Sequence, residues 1–399
     1  MKLFDRLKNT KVNREYADDL VAQTQRQVDK MEPINIIVAG KTGSGKSTLI
    51  NALFRDNIAE TGVGKPVTQS IERISKEGVP LTLYDTKGLE LTPEAQVEVL
   101  TSLNNLIKTQ KEKGERDSID VAYYCINSIM SRIEPFEIEL IEALSEHIPV
   151  ILVLTQYLGQ ESNEFVDYLK EMELPVKGIV PVLAKPYLIQ GEQYIPSHGL
   201  QDLVDLSLSV IPDSVQKAFI NAQQIDLDRK VTDARSWARR YIKGSFGVGF
   251  TPIPIADSAI LIPMQIGMLA HITSIFGLSL NKSQIVSIIA GIGGTGGATA
   301  AGKYIVSQVF KLIPGLGTIT GGVVSGTTAS VLTMTLAYSY IDVLKFIAQA
   351  EISGRDLPLV EIQKTMNLSF KEQLDYFSDF FPDSVKDTIL NEWSNQFLK

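Results

Sequence analysis

At 399 residues the chain is longer than one ordinary hydrophobic core serves, so two domains are expected. Charged residues make up 21% and apolar residues 44%, a globular composition, and the net charge of -8 argues against nucleic acid as the main partner, since phosphate backbones are gripped by clustered Lys and Arg. The single cysteine, Cys125, excludes an intramolecular disulfide and a Cys-rich zinc site, as a reducing compartment would allow.

Residues 1–31 form an N-terminal helical segment in this reading. Its opening, MKLFDRLKNTKVNREYADDL, breaks its apolar residues with charges and lacks the continuous apolar run of a secretory signal, so the chain is expected to begin in the cytoplasm. Leu3, Phe4 and Leu7 stand at helical spacing and are expected to pack on the chain's own domain over 32–212, with a weak membrane or self-association face as the alternative. Short, β-branched, nearly continuous apolar runs at 34–39, 80–85, 119–126, 149–155 and 178–183 predict buried strands. Helical patterns at 46–54, 94–110, 135–147, 162–172 and 199–210 alternate with them. That alternation predicts an α/β domain over 32–212, with a mostly parallel sheet and helices on both faces.

A charged helical pattern over 213–243 predicts a connecting helix. The remainder, 244–399, is expected to be an all-helical C-terminal domain, apolar and glycine-rich. It holds three charge-free stretches, 258–281, 283–302 and 312–341, the last two long enough to cross a bilayer. Their Thr and Ser content, the GIGGTGG at 291–297 and Pro314 weigh against lipid, leaving a soluble core and a membrane segment both open. Gly317, Gly321, Gly322 and Gly326 carry G-x-x-x-G spacing, which suits close helix contact in either setting. Asp257, Lys282 and Lys303 flank these stretches. In the closing segment Leu357, Leu359, Phe370, Leu374, Phe377, Phe381 and Trp393 are the expected core contacts. His147, His198 and His271 are scattered and show no metal-ligand spacing.

The chemistry is concentrated in IIVAGKTGSGKS, residues 36–47. Gly40, Gly45, Lys46 and Ser47 satisfy G-x-x-x-x-G-K-S between a predicted strand and a predicted helix. In that pattern the backbone N–H groups of Gly40, Thr42, Gly43, Ser44, Gly45 and Thr48 surround phosphates, Lys46 reaches the outer ones, and Ser47 supplies a Mg²⁺ ligand at a helix N-terminus. DTKG at 85–88 follows a strand, which places Asp85 to hold Mg²⁺ through water and the Gly88 N–H to meet the γ-phosphate. Between them, 61–70 shows no helical or strand period, and its Thr68 is placed to complete the Mg²⁺ shell.

Taken in order, these motifs resemble those of the translation-factor class of GTPases, Era-like GTPases in particular, over residues 34–190. GKTGSGKSTLINAL is also similar to the P-loop of immunity-related GTPases, and 245–345 resembles the glycine-rich helical domains that follow some Era-like G domains. The resemblance implies a six-stranded G domain, GTP and GDP as bound nucleotides, Mg²⁺-dependent hydrolysis with Lys46, Thr68 and Gly88 in the catalytic machinery, and pairing through G domains as a homodimer. It also implies that 155–158, TQYL, stands where N/T-K-x-D reads guanine, with Thr155 and Gln156 at the base and Ala184 and Lys185 matching S-A-K. Two departures qualify this. Leu158 replaces the carboxylate that rejects adenine, and Leu89 replaces a water-orienting glutamine. Gly43 stands where some relatives hold potassium with Asn, and Lys65, Arg73 and Lys87 are the candidates for supplementary charge. The expected function is a slow GTP-hydrolysing switch that drives the helical domain, with membrane contact or insertion through 245–345. An interaction module with negligible turnover and an ATPase are the alternatives.

Overall fold

The computed structural model describes residues 11–55, 58–61, 63–68, 71–86, 93–190, 193–246, 258–281, 283–285, 287–288 and 326–380. The chain divides into two compact units, Val28–Asp226 and Met1–Gln27 with Leu227–Lys399.

The first unit is built on a seven-stranded sheet: β1 (Ile34–Ala39), β2 (Val63–Pro66), β3 (Ile71–Ser75), β4 (Leu81–Thr86), β5 (Val121–Asn127), β6 (Val150–Thr155) and β7 (Gly178–Pro181), in the order β2-β3-β4-β1-β5-β6-β7. The run from β4 to β7 is parallel, while β2 and β3 join antiparallel at one edge. β1 and β6 are buried along their whole length, which is why both read as nearly continuous apolar runs, interrupted by Asn35 and ended by Thr155. Their side chains alternate between two layers. Ile34, Ile36 and Val38 pack with the helices Lys46–Leu53, Leu200–Val210 and Asp213–Ala222, whereas Ile37 and Ala39 face Pro93–Lys113, Pro135–Ser145 and Gln160–Glu171.

The sheet differs from the expected one at its antiparallel edge. β3 reads IERIS, with Ile71 in one core layer and Ile74 in the other, so neither a continuous run nor a clean alternation marks it. Residues 63–66, expected to be without period, form β2, and Pro66 is tolerated there because β2 is an edge strand.

The helix expected over 213–243 is two helices, Asp213–Ala222 and Leu227–Phe246, which belong to different units. The break is made by the buried Gln223, whose Oε1 accepts from Ile225 N (2.7 Å) and Asp226 N (2.8 Å) in place of helical carbonyls. Gln224 then closes the end of Lys46–Leu53. Its backbone N donates to Leu53 O, and its Nε2 donates to Asn51 O and Ala52 O, so three terminal carbonyls of that helix are satisfied from distant sequence. The N-terminal segment, read as 1–31, contributes Ala17 and Leu20 to the core of the other unit.

Among the described residues that second unit holds the helices Lys11–Asp29 (as far as Gln27), Leu227–Phe246, Ser258–Phe276, Gly326–Ile352 and Leu359–Tyr376. Phe370 and Leu374 are buried in its core, with Leu357, Leu359 and Phe377 packed against it. Several of its buried polar groups are paired inside. Lys230 is buried and donates to Phe276 O at 2.7 Å, a cation at the carbonyl end of Ser258–Phe276 where the helix dipole favours it. Arg235 bridges Asp342 at 3.0 Å, and the same carboxylate accepts from Ser369 Oγ and Gln373 Nε2. Ser330–Ile352 is long and apolar enough to cross a membrane, and 72% of its most apolar window is buried within the structure. Leu3, Phe4, Leu7, Asp257, Lys282, GIGGTGG at 291–297, Lys303, Pro314, Gly317, Gly321, Gly322, Phe381 and Trp393 lie outside the described residues.

Candidate functional site

The site begins where β1 ends. Gly40, Gly43 and Gly45 have φ of 140°, 76° and 85°, backbone conformations that L side chains rarely adopt. At Gly40 space forbids a side chain as well, for a Cβ would stand 2.3 Å from the Cys125 carbonyl oxygen. The loop therefore lies directly against β5. Lys46 opens the following helix, and its Nζ donates to Gly40 O (2.6 Å) and Lys41 O (3.1 Å), folding the ammonium over the loop. Ser47 and Thr48 are exposed on the first helical turn, and Thr42 and Gly43 are exposed on the loop. Ser44 is 4% exposed, and its Oγ is buried with no hydrogen-bond partner. An orphaned hydroxyl inside a glycine-built loop at a helix N-terminus fits an anionic ligand that supplies acceptor oxygens.

Strand register gathers the other predicted residues at the same edge. Val38 of β1 pairs with Asp85 of β4, and Ile71 of β3 pairs with Thr86. Thr68, three residues before Ile71, has its N–H on Ile71 O at 3.2 Å and so sits at the sheet edge that carries the loop and Asp85. Asp85 is half-buried. Burial pushes the Cys125 thiol up to about 12, with Lys46 pulling it down and Asp85 pushing it up, so the charges of both residues are felt at one point beneath the loop. Ser47, Thr68 and Asp85 are the residues that would hold Mg²⁺. Lys87, Gly88 and Leu89 lie outside the described residues.

TQYL follows β6, and VLAKP follows β7. Tyr157 N donates to Val182 O at 3.2 Å, which sets the two segments side by side. Thr155 has a different contact from the base-side role expected of it: its hydroxyl lies 2.5 Å from Ser44 O and 3.2 Å from Ile126 O, bracing the phosphate loop against β5. Gln156 is exposed at φ 52°, Ala184 is half-buried and Lys185 exposed.

Sequence reading missed the wall beside this loop. Lys41, a variable position of the motif, places Nζ 2.7 Å from Glu134 Oε1 and 3.1 Å from Glu137 Oε2. Glu137 is buried at the start of Pro135–Ser145, where it also accepts from Glu134 N (3.0 Å) and Tyr124 OH (3.4 Å). Burial pulls the Lys41 ammonium down, but its hydrogen bonds to the two carboxylates outweigh that and leave its pKa raised, while Lys41 lowers that of Glu134. A cavity of about 310 Å³ lies here, lined by Lys41, Thr42, Gly43 and Ser44 of the loop and by Arg132 and Glu137 opposite, among others. The E-P-F-E spacing is a helix-start signal, but nothing local says that its carboxylates meet Lys41.

Comparison with known proteins places this geometry. Residues 35–156 match the family described as 50S ribosome-binding GTPase, so the segment carrying the loop, Thr68 and Asp85 is a P-loop GTPase domain. The tRNA modification GTPase MnmE of Bordetella parapertussis is 26% identical over 201 residues, covering 46% of this chain and 42% of the relative. MnmE of Bordetella avium is 34% identical over 108 residues, 27% of this chain and 23% of the relative. The chain thus spans less than half the length of these curated relatives. Among solved structures, a probable GTP-binding protein engB aligns at 20% identity with TM-score 0.31, covering 44% of this chain and 98% of that one. The G domain of the T. maritima FeoB iron transporter aligns at 17% identity with TM-score 0.28, covering 44% and 98%.

Proposed function

We propose that the chain hydrolyses GTP to GDP and phosphate and works as a nucleotide switch whose output is the helical unit. The observation that carries this is the placement of the glycine-built loop, its orphaned Ser44 hydroxyl, Thr68 and Asp85 at one end of the sheet's strands. Lys46 would leave the loop carbonyls for the outer phosphates, Ser47, Thr68 and Asp85 would hold Mg²⁺, and Gly88 would meet the γ-phosphate. Mg²⁺, when bound, neutralises phosphate charge and steadies the leaving group. The Lys41 bridge keeps the two nearby carboxylates from repelling that charge.

Single-turnover phosphate release with GTP and with ATP, set against Lys46→Ala, tests the reading. GTP turnover in the wild type and a loss on the order of 100-fold in affinity or turnover in Lys46→Ala are expected. Faster turnover of ATP would instead favour the ATPase that Leu158 permits, and tight GTP binding without turnover would favour the interaction module.

Two further parts of the reading concern partners. A homodimer through the G domain predicts a sedimentation coefficient that rises with a GTP analogue and not with GDP. Action at a membrane is supported by the length and composition of Ser330–Ile352, against which its burial in the unit counts. Flotation with liposomes in the GDP and GTP-analogue states separates the two, and no lipid binding in either state removes the membrane role. A cytoplasmic setting belongs to the same proposal.

A further inference from the structure

Resting on the GTP-hydrolysis reading, we propose that Arg132 is a catalytic residue of that reaction, a guanidinium supplied from within the chain by the turn after β5. Hydrolysis joins a water oxygen to the γ-phosphorus and breaks the bond to the bridging oxygen, releasing GDP, phosphate and a proton. Charge gathers on the phosphate oxygens as that bond breaks, and a chain with Leu89 in place of glutamine needs cationic N–H groups there.

Arg73, one of the other cations expected to supply them, is committed elsewhere. Arg73 sends its guanidinium to Ser75 Oγ (3.2 Å) and Thr82 Oγ1 (3.3 Å), toward the far end of β4 from Asp85. Lys65 pairs with Arg73 across β2 and β3, so it too is set back from the Ile71–Thr86 edge. Lys41 is bound to two carboxylates, and Lys46 is already assigned to the outer phosphates. Lys87 lies outside the described residues.

Arg132 lines the same cavity as Thr42, Gly43 and Ser44 of the loop. Its side chain is 65% exposed, and its Nη2 is 3.7 Å from Glu134 Oε1, a long contact to a carboxylate already held by Lys41 at 2.7 Å. The turn that carries it is well fixed. Asn127 Oδ1 accepts from Ile129 N, Ser128 Oγ donates to Gln156 O, and the N and Oγ of Ser131, at φ 46°, both donate to Ser128 O. A long, exposed side chain on a fixed turn beside the phosphate loop can reach a phosphate without moving the backbone.

The test pairs turnover with binding of a transition-state mimic. Arg132→Ala is expected to leave GTP and GDP affinity within about threefold of wild type. It should lower single-turnover hydrolysis on the order of 100-fold and abolish the complex with GDP, Mg²⁺ and aluminium fluoride. Arg132→Lys should recover part of both, as a point charge without the guanidinium fork. Wild-type hydrolysis and an intact fluoride complex in Arg132→Ala would overturn the proposal, as would a fall in GTP affinity that accounts for the whole loss of turnover. A wild type that shows no GTP turnover overturns the hydrolysis reading and this one together, whereas an active wild type with an unaffected variant overturns this one alone.

Discussion

Lys41→Met is expected to destabilise the nucleotide-binding unit by about 3 kcal/mol, because it leaves the buried Glu137 carboxylate without its cation. The same change should weaken GTP binding, since an uncompensated negative charge then stands beside the phosphate loop. The partner substitution supplies the control. Glu137→Gln removes the charge, keeps one acceptor oxygen for Glu134 N and turns its amide NH2 to the Tyr124 oxygen, which can accept, so Lys41→Met with Glu137→Gln should recover most of the lost stability and affinity. Denaturant titrations of the two single variants and the double variant, arranged as a thermodynamic cycle, measure the coupling. Strictly additive effects would show that Lys41 and Glu137 act independently and would sink the explanation.

The second large effect is a pH dependence far from the phosphates. Asp120, at the entrance to β5, has its pKa pushed up to about 7 by burial, with the hydrogen bond from Asn35 N at 2.7 Å opposing and the charge of Glu32 adding to the rise. An unfolded Asp titrates near ~3.9, so between about 4 and about 7 the folded chain holds a proton that the unfolded chain has released. The contribution to stability is therefore complete below the unfolded value and is lost as pH rises through the folded one. A shift of about three units corresponds to a ceiling of about 4 kcal/mol. Wild-type Tm should fall between pH 5 and pH 8, and Asp120→Asn, which keeps the acceptor for Asn35 but cannot ionise, should flatten that fall. Parallel Tm curves for the two proteins would refute the assignment.

The parts legible in the sequence are those whose cause is local. β1 and β6 lie between two helical layers, so burial on both faces wrote them as apolar runs, and the phosphate loop is recognisable because glycine conformation, Lys46 and Ser47 are fixed by adjacent residues. β3 escaped because it spends one isoleucine on each face. The break at Gln223 was hidden for a similar reason: the side chain that replaces the helical hydrogen bonds is an ordinary amide in a charged helical pattern. At the site, Lys41 looked like a variable loop position, and the role it has comes from carboxylates on a helix brought alongside only by the pairing of β1 with β5. The contact of the Thr155 hydroxyl with Ser44 O was not foreseen, because sequence position cannot say what a hydroxyl at a strand end faces.

Cys125 has a consequence for labelling chemistry. Its thiol is fully buried in the core and held up to about 12, so at pH 7 it is overwhelmingly the unreactive thiol even before access is considered. A cysteine introduced on an exposed surface should therefore take a maleimide dye selectively without removal of the native one. Modification of Cys125 itself would report the rate at which the loop lifts from β5. A bound nucleotide that clamps the loop should slow that modification, giving a spectroscopic clock for loop opening that needs no turnover at all.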